Sequence, residues 1–495
     1  MIERNRRSVR PAGGRYRVAL FLALALAASA CGSRLDRQAL EAANGAVQNS
    51  SSAATAGPIA ASGSGGTEVG DSGTPSDLLG SAGDAGGTAG ADSGGTAPKG
   101  VAATGGGAPS AGTASGGGGP SEEIVLGWVG TTSGVLGALL ADQAPGVRAW
   151  VADANASGRL GNRKVRVIFK DDGGDPGKSA AFVREFVEKD NVVAMFAPQT
   201  VLTGQAWVGY LGEKGVPLLG SDGGNPVTDH SSISFQPMAG ADIGSPASMV
   251  TTFMAVQPGK TKIALLYCRE LNTCHNSGRV VNDYSKKVGI NVVYTGENSL
   301  AAPDYTADVL AAKNAGAEAV LTYYDHQSTI RIKQAMDRQG WNVPIIGPKS
   351  LAISEFLRLG GGSIDGIYTS ATSQPFCCSP ATGDYMQAMQ RYAPDSPYGD
   401  FGAGAWLTGK MLEKAASAIP GPLTRQSLME ALYNFKGETL GGRVPPLTFP
   451  KGSADRQNVN VCTVPLQVKG GKFITPVGLA FRCATVPPTT VEPAK

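Results

Sequence analysis

The chain has 495 residues, 69 of them glycine, and only 17% are charged. Between Gly32 and Ser121 there is no Phe, Trp or Tyr, and this stretch holds 24 of the glycines, which excludes it as a folded domain because it cannot bury a core. The formal charge of +3 falls to −2 once residues 1–30, with six Arg and one Glu, are set aside, so no basic stripe is left to neutralise phosphates and nucleic acid is excluded as a partner.

Residues 1–30 read as an export leader. Arg4, Arg6, Arg7, Arg10, Arg15 and Arg17 precede an apolar run from Val18 to Ala28, which is too short to span a bilayer. Ser29-Ala30-Cys31 then resembles a bacterial lipobox, in which the cysteine is lipidated and becomes the new N-terminus. Ala28 departs from that pattern, where leucine is usual, and the alternative is an ordinary signal peptide with a coincidental cysteine. On the lipoprotein reading residues 31–121 are a disordered tether, with a span of about 50 Å for a flexible Gly/Ser/Ala-rich coil. A glycosylated or crosslinked stalk is the other reading.

From Ile124 the pattern alternates short apolar runs with helical periodicity. The predicted elements are strand 124–129, helix 139–156, strand 165–169, helix 178–189, strand 192–196, helix 204–213 and strand 216–219. A second series follows, with strand 262–267, helix 276–288, strand 291–294, helix 305–315, strand 319–323, helix 329–339 and strand 344–346. Two α/β units in tandem are implied, each a parallel sheet covered by helices, with ligands expected beyond the carboxyl ends of the strands.

Six cysteines besides Cys31 suit an oxidising compartment. The expected pairs are Cys268 with Cys274 and Cys462 with Cys483; Cys377 and Cys378 either bridge each other or exchange partners with the C-terminal pair. Zinc ligation is disfavoured, since adjacent cysteines lack the usual ligand spacing.

The motif order Gly130-Thr-Thr-Ser-Gly134, Ala152-Asp-Ala-Asn-Ala-Ser-Gly158 and Asp171-Asp-Gly-Gly-Asp-Pro176, continued by residues 215–226, Asp304-Tyr-Thr306 and Gly347-Pro348, resembles the type I periplasmic solute-binding proteins. The match is nearest to the branched-chain amino acid (leucine/isoleucine/valine) branch and covers about 124–481. The resemblance implies an α/β two-lobed Venus-flytrap, with three crossovers and a ligand held between lobes. Lobe 1 is expected at 122–238 and 372–444, lobe 2 at 239–371 and 445–484, and a disordered tail at 485–495.

The resemblance also implies the site, residue by residue. After strand 192–196 the family offers a hydroxyl and backbone amides to a ligand carboxylate; here the segment is Ala197-Pro-Gln-Thr-Val-Leu-Thr203, so Gln199, Thr200 and Thr203 are candidates, although an ungapped comparison puts Val201 or Leu202 at the serine position. Asp222, Gly223 and Gly224 form the next turn, with backbone amides retained and a side-chain hydroxyl lost. Ser133 lies in the exit turn of the first strand, where it contacts ligand or caps the next helix. One of Tyr324, Asp325 and His326 is expected to face the ligand. His275 lies at the rim or in the disulfide loop, and Phe376 walls the pocket or packs the crossover. The sharpest departure is Lys349, where the family places a Glu that pairs with the ligand ammonium. Either Lys349 excludes simple zwitterionic amino acids, or it points to solvent and Asp325 or Asp222 takes the ammonium.

No G-x-S-x-G elbow or H-E-x-x-H pair is present, and the loop ending Gly177-Lys178-Ser179 has Asp172 where a phosphate loop needs its first glycine. A catalytic role is therefore not expected, and neither a cofactor nor a metal site. The expected function is capture of a small polar solute, amino-acid-like or a carboxylate, outside the cytoplasm. Its expected partners are an ABC permease and, through Cys31, the lipid bilayer. A sensor reporting to a membrane receptor or kinase, and a surface enzyme, are the rival readings.

Overall fold

The structure is a computed structural model that describes residues 122–240, 243–451 and 461–488. The leader, Cys31, the tether and the tail from 489 lie outside the described residues.

The first sheet is wholly parallel, ordered β2-β1-β3-β4-β5, with β1 Glu123–Gly130, β2 Lys164–Asp171, β3 Ala194–Phe196, β4 Leu218–Leu219 and β5 Ser234–Phe235. Its helices are α1 Gly134–Leu139, α2 Gln143–Ser157, α3 Pro176–Glu188, α4 Val208–Glu213 and α5 Pro226–Asp229. The second sheet begins with α6 Gly244–Val256 and β6 Lys262–Cys268, then α7 Asn272–Lys287, β7 Asn291–Asn298, α8 Thr306–Asn314, β8 Ala319–Tyr323, α9 His326–Arg338, β9 Ile345–Ile346, α10 Ser354–Gly360 and β10 Tyr368–Ala371. The chain next forms α11 Gly383–Tyr392, α12 Asp400–Ser417 and α13 Arg425–Tyr433, and the two-stranded β11 Lys436–Glu438 with β12 Leu447–Thr448. It ends with β13 Cys462–Lys469, β14 Lys472–Ile474 and β15 Arg482–Cys483.

β13 pairs antiparallel with β10, and β14 and β15 pair antiparallel with β13, so the second sheet is mixed rather than parallel. The β13–β14 pairing is local: a Gly470-Gly471 turn with both φ values positive folds the chain back, and a hairpin return is necessarily antiparallel. The chain passes between the two sheets after β5, after β10 and again between β12 and β13, which gives a two-lobed architecture with three crossings.

The returning helices are bound to the first sheet. Trp150 of α2 stacks on Phe196 at 4.7 Å and donates from Nε1 to Glu413 of α12. Arg163 donates to the carbonyl oxygens of Ala416, Ile419 and Gly421. α2 and α12 approach so closely that a Cβ on Gly146 would lie 2.5 Å from the Gly402 carbonyl oxygen.

Several boundaries differ from the sequence reading for identifiable reasons. The predicted helix 139–156 starts only at Gln143, after the separate short α1 that ends at Leu139, because Pro145 fits only a first turn and Asp142 precedes the new start. Its side chain leaves its own helix uncapped and accepts from Gly402 N of α12 at 2.7 Å. The predicted helix 204–213 is a 3₁₀ turn followed by α4, broken at Trp207, whose buried indole donates to Ser179. α9 starts three residues early because Asp325 caps it by accepting from Ser328 N.

All three disulfides are formed: Cys268–Cys274, Cys377–Cys378 and Cys462–Cys483. The adjacent pair therefore closes on itself rather than exchanging with the C-terminal pair. Among the described residues no helix is long and apolar enough to cross a membrane.

Candidate functional site

Turns leaving the carboxyl ends of both sheets converge on one cavity of about 90 Å³, several times the space one water needs. From the first sheet come Leu139, Leu140, Val201, Asp222 and Gly224; from the second come Leu271, Thr273, Leu300, Tyr324, Asp325 and Lys349, with Phe401 from the start of α12. The lobes touch across it, since Thr273 Oγ1 donates to the Gly224 carbonyl oxygen at 3.0 Å. The Cys268–Cys274 disulfide lies in the wall and closes the turn that carries Thr273.

Of the candidate site residues singled out in the sequence, Val201, Asp222, Gly224, Tyr324, Asp325 and Lys349 line this cavity. The others are placed elsewhere. Ser133 is exposed, and its carbonyl accepts from Gly137 N within the first turn of α1. Gln199 is buried and donates to the Leu140 carbonyl oxygen. Thr200 donates from Oγ1 to Asp222 at 2.8 Å, and Thr203 donates to Asp172 at 2.9 Å, so both hydroxyls are used inside the first lobe. Gly223 has φ 70°, a turn conformation that favours glycine, and its N–H donates to Ser221 Oγ. His326 points at the Ser350 carbonyl oxygen, with its imidazole held below the usual pKa by burial. Phe376 packs edge-on against Tyr398 and Phe473. His275 is exposed, near Arg269 O and Glu297.

Asp222 is a fastener for the lobe 1 turns. Its carboxylate accepts from Thr200 N at 2.7 Å, Thr200 Oγ1 at 2.8 Å, Val201 N at 3.3 Å and Gly224 N at 2.8 Å. Burial pushes its pKa up, and these hydrogen bonds oppose the shift. With its lone pairs taken, it has little capacity left for a ligand ammonium.

Lys349 does not point to solvent. It is 3% exposed, Nζ donates to the Ala239 carbonyl oxygen at 3.0 Å, and the ammonium sits 5.2 Å from the centre of the Phe401 ring. Asp400, beside Phe401, is fully buried; burial pushes its carboxyl up to about 6, with Lys349 pulling the other way. Tyr324 accepts from Asn298 N and packs edge-on against Tyr305 at 5.3 Å, with its phenol pKa raised by burial.

Thr273 and Phe401 were not legible as site residues. Thr273 sits in the first turn of a helix predicted to begin later, and Phe401 comes from a helix far along the chain that only tertiary packing brings to the cleft. The closed turn between Cys268 and Cys274 was the one available signal for Thr273.

The model of the periplasmic binding protein family matches residues 123–472. A possible leucine/isoleucine/valine-binding protein from Rhodopirellula baltica superposes with a TM-score of 0.60 at 17% identity, over 72% of this chain and 96% of its own. A putative branched-chain amino acid ABC transporter protein from Rhodospirillum rubrum gives 0.56 at 19% identity, over 71% and 99%. The branched-chain amino acid transporter substrate binding protein from Streptococcus pneumoniae, solved in complex with isoleucine, gives 0.58 at 16% identity, over 71% and 98%. No curated protein matches the chain. With two sheets crossed three times, a cavity between them and a family model that spans nearly all the described residues, the chain belongs to the periplasmic binding protein family and is a solute-binding protein rather than an enzyme.

Proposed function

We propose that this protein captures a small solute between its lobes outside the cytoplasm, held to the membrane by a lipid on Cys31 and a tether over 31–121, and delivers it to an ABC permease. Lobe 1 is formed by 122–238 with 372–444, and lobe 2 by 239–371 with 445–484. The observation that carries this reading is the bond from Thr273 to Gly224 across the cavity, because a contact between lobes at the rim of a cleft exists only when the cleft is closed. Closure around a guest completes hydrogen bonds that neither lobe makes alone, so the solute shifts the population toward the closed form. Of the structural relatives, the Streptococcus pneumoniae protein was solved in complex with isoleucine, a small solute of the kind this reading calls for.

Native mass spectrometry of the purified soluble domain tests the reading. A retained small molecule is expected, whereas a protein that is consistently empty and binds no metabolite from a broad library contradicts it. Thr273→Val is expected to weaken solute binding about 2- to 10-fold, the worth of one neutral hydrogen bond, mainly through faster release. Calorimetry and stopped-flow dissociation check this, and unchanged dissociation would remove Thr273 from the closure.

A further inference from the structure

The cavity has apolar walls, with Leu139, Leu140, Val201, Leu271, Leu300 and Phe401 in the lining, and three charged residues. Two of the three are already engaged. Asp222 accepts four hydrogen bonds from its own lobe. Asp325 accepts from Ser328 N at 3.1 Å and lies against the positive N-terminal end of the 13-residue helix α9. Lys349 differs. Its Nζ makes one hydrogen bond, to the Ala239 carbonyl oxygen, and among the described residues no carboxylate forms an ion pair with it. Asp400 acts on it only from beyond ion-pair distance.

A buried ammonium without a counter-ion is costly, and buried charges in folded proteins are paired as a rule. A lysine amine has three N–H donors, and Lys349 has directed one at protein. The missing partner has to be an anion small enough for the cavity, attached to a body that suits leucine and aromatic walls.

Resting on the reading of the cleft as a solute site, we propose that the solute is a monocarboxylate with an apolar body and no ammonium group, its carboxylate paired with Lys349. An α-amino acid carries its ammonium one carbon from the carboxylate, and pairing the latter with Lys349 would bring two cations together. Asp222 is not free to separate them, and Asp325 is engaged by its own helix. A carboxylate alone satisfies the lysine and leaves only apolar surface to be covered.

The test uses the full chain after exhaustive dialysis and three probes that share one 3-methylbutyl chain: 4-methylpentanoate, L-leucine and 3-methylbutylamine. Calorimetric titration is expected to show the acid binding at least ten-fold more tightly than leucine and the amine not at all. Lys349→Met is expected to weaken acid binding at least 100-fold. Lys349→Arg, which keeps the charge, is expected to retain it within about ten-fold, and thermal unfolding of each variant shows whether it is folded. Leucine binding more tightly than the acid, or a folded Lys349→Met variant binding the acid like the parent, overturns the proposal. Should none of the three bind, the molecule retrieved by native mass spectrometry decides: a carboxylate without an ammonium supports the proposal, and any other molecule overturns the ligand class while the cleft reading stands. No retrieved molecule and no binding overturns both.

Discussion

Gly409→Ala is expected to cost about 3 kcal/mol or more, at the upper end of what overpacking a well-filled core does. A Cβ at this position would lie 2.1 Å from Trp150 Nε1 and 2.2 Å from Cε2, far inside contact distance. The indole has no easy escape, because it is fully buried, stacked on Phe196 at 4.7 Å and bonded to Glu413 at 2.9 Å. α12 must therefore move away from α2, and Gly402 of α12, which meets Gly146, would move with it. Gly209→Ala serves as the control. It lies exposed in α4 with nothing near its would-be Cβ, and is expected to gain about 0.5–1 kcal/mol from helix propensity. Urea unfolding of the two variants checks the contrast, and a Gly409→Ala protein as stable as the parent would contradict the close helix crossing.

The second large effect is a loss of stability as pH rises from 5 to 7.5. Asp142 is fully buried beside the start of α12, and burial pushes its carboxyl from 3.8 up to about 7, with the Gly402 N–H opposing and Asp400 adding to the rise. Asp400 is pushed up to about 6 by burial, against Lys349. Both groups bind a proton more tightly in the folded chain than in the unfolded one. Their contribution is therefore favourable at low pH and is lost as pH rises through the interval between 3.8 and about 7. At about 1.4 kcal/mol per pH unit and group, the loss between pH 5 and 7.5 is on the order of 4 kcal/mol, about 2–3 from Asp142 and about 1.4 from Asp400. His326 works in the opposite direction: burial lowers its pKa, so it costs stability as pH falls below 6.5. The difference between the parent and Asp142→Asn isolates the carboxyl, since asparagine keeps an acceptor for Gly402 N. Urea unfolding from pH 5 to 7.5 is expected to show the parent losing about 2–3 kcal/mol relative to the variant; parallel profiles would contradict the assignment.

Strands buried on both faces were easy to read, because continuous apolar runs bounded by turns leave few alternatives: β8 is Ala319–Tyr323 as predicted, and β6 gains only Cys268. Helix starts were less legible where the signal is a single capping group. Asp325 reads equally as a ligand contact or as the cap of α9, and only the hydrogen bond to Ser328 N separates the two. Ambiguity of this kind accounts for most of the displaced site residues. Thr200 and Thr203 follow a parallel strand, where ligand-binding hydroxyls belong, but the buried Asp222 and Asp172 take both of them. Lys349 was legible as the departure from the family pattern, while its burial against Phe401 was not, since that contact joins segments far apart in sequence.

The solute-binding account rests on a cleft that is closed when filled and open when empty. Small-angle X-ray scattering on the soluble domain, before and after its retained solute is stripped and then restored, measures this directly. The account predicts a larger radius of gyration for the stripped protein and a return to the compact value on restoring the solute. One envelope, unchanged in all three states, would contradict it.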